Sequence, residues 1–442
     1  MHIPTSEIIF PSFHTDMIGF TFVWRGHFLR GIFPKAVSRV KQLFDSGFIN
    51  EICSLKLFPK TWVSEYENES FGMIIEHELL SPIIFATEWN AAMLKDAALV
   101  VLKIAGISNK YGFNMYDCHK LNILFHNNIP YYVDLGSFIP KDYGSTGWKP
   151  YLSYLQSYYY ILNIWTHGSP NIAKSLMYPE KELESYDYYC YKNPIFRYFP
   201  SILNLLIRKR RKLYKLAYLG FEEIGQLMDK ASNSKEKAIL YQKKIINSIK
   251  PLSSQDINIC CAKVSRQKIT EIPPSDKSKI DDHIESIILL CDTMINSVTI
   301  IGASSIQLLT KLSELESIKS IISICKDDTY SSGEYYYCRH NDVIINSVSF
   351  DVVKRMVAFN NSPEMRLSSD LVVVHQLDTY KEIFGIANAI VYLSICGNYS
   401  KTGIMIIHFI IDKEFLSMIQ QKYEIMFSLI DGNNHILMIK PI

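Results

Sequence analysis

Apolar residues in the last third of the chain come in short, β-branched runs separated by stretches of helix length. Strands are predicted at 297–302 (SVTIIG), 319–325 (KSIISIC), 342–349 (DVIINSVS), 369–375 (SDLVVVH) and 403–411 (GIMIIHFII), with helices at 304–315, 350–358, 379–396 and 412–421. These strands alternate little between apolar and polar positions, which is the pattern of a parallel sheet covered on both faces. The final runs, Tyr423–Ile430 and His435–Lys440, flank Asp431-Gly432-Asn433-Asn434, a turn-forming connection that predicts a terminal antiparallel hairpin.

The front of the chain has a different rhythm. Phe20–Trp24 and His27–Ile32 around Arg25-Gly26 read as a hairpin, Pro34–Phe44 as a helix, and Trp62–Tyr66 with Gly72–Glu76 as a second hairpin. A hinge at 77–82 then leads to a helix at 88–109. Residues 199 to about 290 are Lys-rich, Gly-poor and helical in period, and the clearest linker lies between Lys268 and Lys279, where Pro273-Pro274 stops any helix. The chain therefore divides into 1–198 (a small lobe of about 1–80 and a large lobe of about 81–198), a helical bridge at 199–290, and an α/β domain at 291–442.

Composition narrows the function classes. Over 442 residues, 48% are hydrophobic and 20% charged, which excludes disorder as the main state. Lys+Arg 46 against Asp+Glu 44 leaves a formal charge of +2, so no global field favours nucleic acid, and none is expected as a partner. The nine cysteines are scattered without CxxC pairs or zinc spacing, as in reduced thiols without a structural metal. The opening MHIPTSEIIF lacks the basic and apolar regions of a secretory signal, and polar residues interrupt the uncharged stretch 150–173, so a cytoplasmic protein without a membrane span is expected. Within Ile202–Gly220, Arg208, Lys209, Arg211 and Lys212 lie around a helix from Leu203, Leu206 and Leu213. Such a basic amphipathic helix can make peripheral contact with an anionic membrane, or be a solvated helix packing its leucines on a neighbour.

The segment Tyr111–Ile139 carries the most chemistry. Asp117 precedes Asn122 by five positions, an apolar strand, a turn and a second strand follow, and Asp134-Leu135-Gly136 closes the motif. An ordinary hairpin with an Asp-initiated turn is the plain reading. The motif also resembles the catalytic core of protein-kinase-like phosphotransferases of the aminoglycoside and choline kinase branch, in which one carboxylate meets the acceptor hydroxyl while an amide oxygen and a second carboxylate hold magnesium against phosphates. That resemblance implies a bilobal α+β domain, Asp117 as the base or acceptor-orienting group, Asn122 and Asp134 as Mg²⁺ ligands, and ATP as donor. Cys118 and His119 are read as bystanders. No glycine-rich phosphate loop or strand lysine is present; Arg30 stands near that lysine's place, as a phosphate contact or a surface arginine.

The rear pattern of α/β units closed by a hairpin is Rossmann-like and resembles the class I S-adenosylmethionine (SAM) methyltransferases. After the first strand only Gly302 remains of a glycine-rich turn and the usual acid is absent; Asp327 or Asp328 after the second strand would hold a ribose hydroxyl or simply be solvated. His375 after the fourth strand is a substrate-facing candidate or a backbone-bonded strand-end histidine. Glu88-Trp89, Leu94-Lys95-Asp96-Ala97 and Val133-Asp134 add a likeness to bacterial proteins labelled SAM-dependent methyltransferase or nodulation-protein-like, with a kinase-like front and a methyltransferase-like back. Glu88 and Lys95 are expected on one face of a helix, lining a cleft or forming a charged surface. The leading expectation is a Mg²⁺-dependent phosphotransferase acting on a hydroxyl of a sugar or related metabolite in bacterial glycan tailoring, with a small-molecule or glycan substrate and a degenerate methyltransferase-like domain. The alternatives are a SAM-dependent methyltransferase with a kinase-like accessory domain, and a non-catalytic scaffold.

Overall fold

A computed structural model describes residues 1–9, 16, 18–141, 150–179, 183–198, 254–268, 279–290, 295–358, 365–375 and 377–442. The basic helix expected around Arg208, Lys209, Arg211 and Lys212 lies outside these residues. Among the described residues no helix is long and apolar enough to cross a membrane. The chain forms two compact units that are not collinear with the sequence: 1–80, 95–124 and 130–268 make the front unit, and 81–94, 125–129 and 269–442 make the rear unit.

In the front unit, β1 (Gly19–Trp24) and β2 (His27–Ile32) pair across a two-residue turn in which Arg25 and Gly26 both take positive φ. That turn matches the twist of the strands it joins. Helices α1 (Val37–Asp45) and α2 (Phe48–Ser54) follow, then β3 (Thr61–Val63) and β4 (Met73–His77), giving an antiparallel sheet in the order β1-β2-β4-β3. Phe20, Phe22, Trp24, Leu29, Phe71 and Ile74 pack over its inner face. Helix α3 (Ala91–Lys110), in this unit from Lys95 onward, leads to β5 (Phe113–Met115), to the hairpin β6 (Ile123–His126) and β7 (Ile129–Tyr132), whose residues 125–129 count with the rear unit, and to β8 (Phe138–Pro140) beside β5.

The rear unit is built on a seven-stranded sheet. Its strands are β9 (Ser297–Ile301), β10 (Ser320–Ile324), β11 (Asn346–Val348), β12 (Leu371–Val374), β13 (Met405–Ile410), β14 (Tyr423–Asp431) and β15 (Asn434–Pro441), in the order β11-β10-β9-β12-β13-β15-β14. The first five run parallel, and β15 is antiparallel to both of its neighbours. β9, β10 and β12 are buried almost throughout because helices cover both faces. Those helices are α4 (Lys279–Leu290), α5 (Ile306–Glu314), α6 (Asp328–His340), α7 (Val352–Ala358), α8 (Leu377–Phe384), α9 (Ile386–Gly397) and α10 (Lys413–Lys422).

In the rear unit two helices differ from the sequence expectation. Helix α6 reads as a connection because its buried side is made of Ser331, Ser332, Glu334, Tyr335 and Cys338 and contains no aliphatic stripe. The helix expected at 379–396 is two, broken at Gly385, whose φ of 84° suits glycine alone at low cost.

Segments 81–94 and 125–129 join the rear unit through side chains. Asn127 N donates to Asn346 Oδ1 (2.7 Å), Asn346 Nδ2 returns to Asn127 Oδ1 (3.1 Å), and Ser347 N donates to Asn128 Oδ1 (2.9 Å). Asn90 Nδ2 reaches the Ser331 carbonyl at 3.0 Å, and Phe125 lies edge-on to both Trp89 and Tyr335. Glu88 is not on α3 as the sequence spacing suggested but in a short turn at Ala86–Glu88, fully buried in this unit, whereas Lys95 on α3 donates to the Gln267 carbonyl in the front unit. Neither belongs to an exposed charged face.

Candidate functional site

From β9 the chain moves to β10 on one side, and β12 pairs with β9 on the other. At such a reversal the loops beyond the carboxyl ends of the strands part and leave a crevice. Here it is a cavity of about 260 Å³ floored by the turn at Gly302 and Ala303. Gly302 has φ 105°, and a Cβ there would stand 3.0 Å from the His375 carbonyl oxygen and 3.1 Å from its Cβ. Only glycine therefore fits against His375 here, and the turn borders the cavity with no side chain at position 302.

Carboxylates line two sides. Asp327, after β10, is exposed into the cavity; its Oδ1 accepts from the amides of Thr329 (3.0 Å) and Tyr330 (2.9 Å) and caps α6. Asp351, after β11, does the same for α7 through the amides of Val353 (2.9 Å) and Lys354 (3.3 Å). Each cap spends one oxygen. Aromatic rings make the remaining walls: Phe350 on one side, and on the other Tyr380, stacked on Tyr392 at 4.2 Å and 13° and leaning on Phe384 at 4.6 Å.

Of the rear residues singled out from sequence, Gly302, Asp327 and His375 meet at this cavity, and Asp328 does not; its Oδ1 accepts from Ser349 Oγ at 2.6 Å. His375 is buried, with its ring 5.5 Å from and edge-on to that of His408, and His375 Nε2 and His408 Nδ1 are sealed without hydrogen-bond partners. Burial, then the neighbouring His408, pushes the His375 imidazole down to about 3, so it is neutral at physiological pH. Asp351 and the aromatic walls were missed from sequence. The helix predicted at 350–358 covers Asp351, although an acid just past a strand end is the same signal that picks out Asp327.

The front unit gathers its own residues. Asp117 Oδ2 lies 2.8 Å from His119 Nε2, and its Oδ1 accepts from the amides of Cys118 (2.6 Å) and His119 (3.2 Å). Burial pushes this carboxyl up, but the hydrogen bond and charge of His119 with those amides outweigh it and hold Asp117 below the ordinary carboxylate range. His119 is thus Asp117's partner rather than a bystander. Asn122 Nδ2 is 3.5 Å from Asp134 Oδ2. Burial raises the Asp134 carboxyl, opposed by Arg30 and reinforced by Asp16. Arg30 is no surface arginine: it is 8% exposed, with Nη1 3.3 Å from Asp16 Oδ2, a pairing by distance without hydrogen-bond geometry. Arg39 Nη2 donates to the Gly136 carbonyl at 3.1 Å. Among the described residues no group of His, Cys, Asp and Glu has a metal-binding arrangement of three or more.

No known protein family and no curated protein matches the chain by sequence. Among solved structures it is similar to TrmK of M. capricolum in complex with S-adenosyl-homocysteine, at 14% identity and a TM-score of 0.28, over 38% of this chain and 69% of that one. It is similar to the 16S rRNA methylase ArmA at 15% identity and 0.28, over 37% and 82% of the two chains. It is also similar to a S-adenosylmethionine-dependent methyltransferase from Clostridium acetobutylicum at 10% identity and 0.30, over 38% and 93%. The rear unit has a methyltransferase-like α/β fold. Its strand order and its antiparallel β15 define that fold.

Proposed function

We propose that this chain is a SAM-dependent methyltransferase whose cofactor is held in the rear-unit cavity. What supports the reading is one coincidence: a side-chain-free turn at Gly302, two carboxylates at successive strand ends, and aromatic walls around a single crevice. A nucleoside needs such a set. Asp327 would take ribose hydroxyls through the oxygen not used in its cap, Asp351 an exocyclic amine, and Phe350 and Tyr380 the faces of the base; the Gly302 floor would admit the amino-acid arm. The group would supply an electrophilic methyl for an acceptor nucleophile. The single glycine and the missing acid after β9 leave Asp327 and Asp351 as the charged anchors.

The test is calorimetric titration of the full chain with SAM and S-adenosylhomocysteine. Asp327→Asn keeps a residue that caps helices equally well and removes the charge on the ribose contact, so affinity is expected to fall about 10- to 100-fold with the unfolding midpoint little changed. Absence of binding by the unaltered chain, or equal affinity in the variant, would overturn the reading.

A second reading is favoured by the front-unit grouping of Asp117, Asn122 and Asp134 with Arg30: phosphoryl transfer from Mg²⁺-bound ATP to a hydroxyl of a sugar or related metabolite. Asn122 and Asp134 would hold the cation and Asp117, kept ionised by His119, would orient the hydroxyl. Asp134→Asn is then expected to abolish magnesium-dependent ATP binding at little cost to the fold, read by titration with ATP plus Mg²⁺ against ATP plus EDTA. Unchanged magnesium-dependent affinity would remove this reading, and no binding of either nucleotide class would favour a non-catalytic scaffold.

A further inference from the structure

We infer that Arg355 is a positioning residue for the rear-unit cavity: gripped by Glu88, it fixes the Phe350 wall that a base would lie against. The inference rests on the nucleoside reading of that cavity and adds to it the residue that sets the wall. Glu88 and Arg355 are 267 positions apart, and Arg355 Nη2 lies 2.6 Å from Glu88 Oε1, with the carboxylate side chain at 0% and the guanidinium side chain at 9% exposure. Glu88 Oε2 accepts from the Phe85 amide at 2.7 Å, which pins the carboxylate itself.

Phe350 is caught between two attachments to this one residue. On its amino side, Ser349 N donates to the Glu88 carbonyl at 2.7 Å. On its carboxyl side, the Arg355 guanidinium carbon sits over the Phe350 ring, 4.8 Å from its centroid, while the ring forms part of the cavity wall. A planar guanidinium held by a buried carboxylate is a stiff backing for an aromatic ring, because it stacks and pairs at once. Glu88 has a second cation, Arg366, which also pairs with Oε1 but lies over Phe85 at 4.6 Å and donates to the Ile83 carbonyl. The two arginines share the carboxylate and back different rings. This makes Arg366 an internal control for a clamp that is merely structural.

The experiment compares Arg355→Lys with Arg366→Lys in the full chain. Each keeps a cation for Glu88 and loses the planar stack, so both are expected to lower the unfolding midpoint. Only Arg355→Lys is expected to weaken S-adenosylhomocysteine, by about 5- to 10-fold, with Arg366→Lys within about twofold of the unaltered chain. Phe350→Leu, which leaves the ion pairs intact, is expected to weaken the same ligand, and adding Arg355→Lys to it should cost no further affinity. Amide hydrogen exchange of residues 346–356 without ligand should quicken in Arg355→Lys and not in Arg366→Lys. Equal losses from the two lysine variants, or unchanged affinity and exchange in Arg355→Lys, would overturn the inference. Failure of the unaltered chain to bind either SAM or S-adenosylhomocysteine would overturn the nucleoside reading, and the exchange comparison would still decide whether Arg355 holds Phe350.

Discussion

Glu88→Ala is expected to destabilise the rear unit by about 3–5 kcal/mol, a large part of the roughly 5–15 kcal/mol that a folded domain has in reserve. The side chain is wholly buried, and its removal strands Arg355, 9% exposed, and Arg366, 23% exposed, without the carboxylate both share. It also releases the Phe85 amide, which Glu88 Oε2 accepts at 2.7 Å. The intact pair is not thereby shown to stabilise the fold relative to apolar residues, since desolvation of three charges opposes their attraction. The large effect comes from breaking a buried charge pairing from one side only. Urea unfolding followed through the rear unit would measure it. A loss below about 1 kcal/mol, the size seen for exposed ion pairs, would mean the arginines find water when Glu88 is absent. Replacing Glu88, Arg355 and Arg366 together by apolar residues should recover much of the loss.

The same carboxylate shows where sequence reasoning stopped. Strand positions in the rear unit were legible because β9, β10, β12 and β13 are buried on both faces and carry their apolar character in uninterrupted runs. The terminal hairpin was legible from Asp431 to Asn434, and the break that Gly302 marks was legible from its place just past a strand. Helix α6 was not, because serines, a glutamate and tyrosines do the work of its buried face. The docking of 81–94 and 125–129 could not be read at all: Asn127 and Asn128 look like any hairpin turn, and nothing local says that their amides pair with Asn346 and Ser347 more than two hundred positions away. Glu88 and Lys95, seven apart, suggested a shared helical face because periodicity assumes one helix, and a helix start at Ala91 defeats it. Asp351 illustrates a subtler loss. Its acid was visible, but the strand end that gives it meaning falls at Val348, and the helix that it caps had been extended over it. Spacing along the chain carries local geometry well; contacts between distant segments depend on shape, which spacing does not encode.

Glu334→Gln is expected to stabilise the rear unit by up to about 3 kcal/mol above pH 8 and by less than about 1 kcal/mol at pH 5. Glu334 faces the sheet from α6 at 1% exposure, its Oε2 accepting from Ser323 Oγ at 2.9 Å and its Oε1 from Ser347 Oγ at 3.3 Å. Burial pushes its carboxyl from 4.5 to about 7, and the two hydroxyls recover only part of that. The thiols of Cys325 and Cys338 lie near enough to feel its charge; burial first, and then Glu334, raises both, so neither offers it a counter-charge. A raised carboxyl means that the folded state holds the proton longer than the unfolded chain. Between about pH 4.5 and 7 the native state therefore binds more protons, and stability falls as pH rises through that window, by about 1.4 kcal/mol for each unit of separation. Above the window the cost is fully present, and the neutral amide removes it while keeping the volume and an acceptor for one serine. Denaturant unfolding of both proteins from pH 5 to 9 would trace the difference. A gap that is constant with pH would show that Glu334 ionises as an ordinary carboxylate despite its burial, and would place any gain in packing.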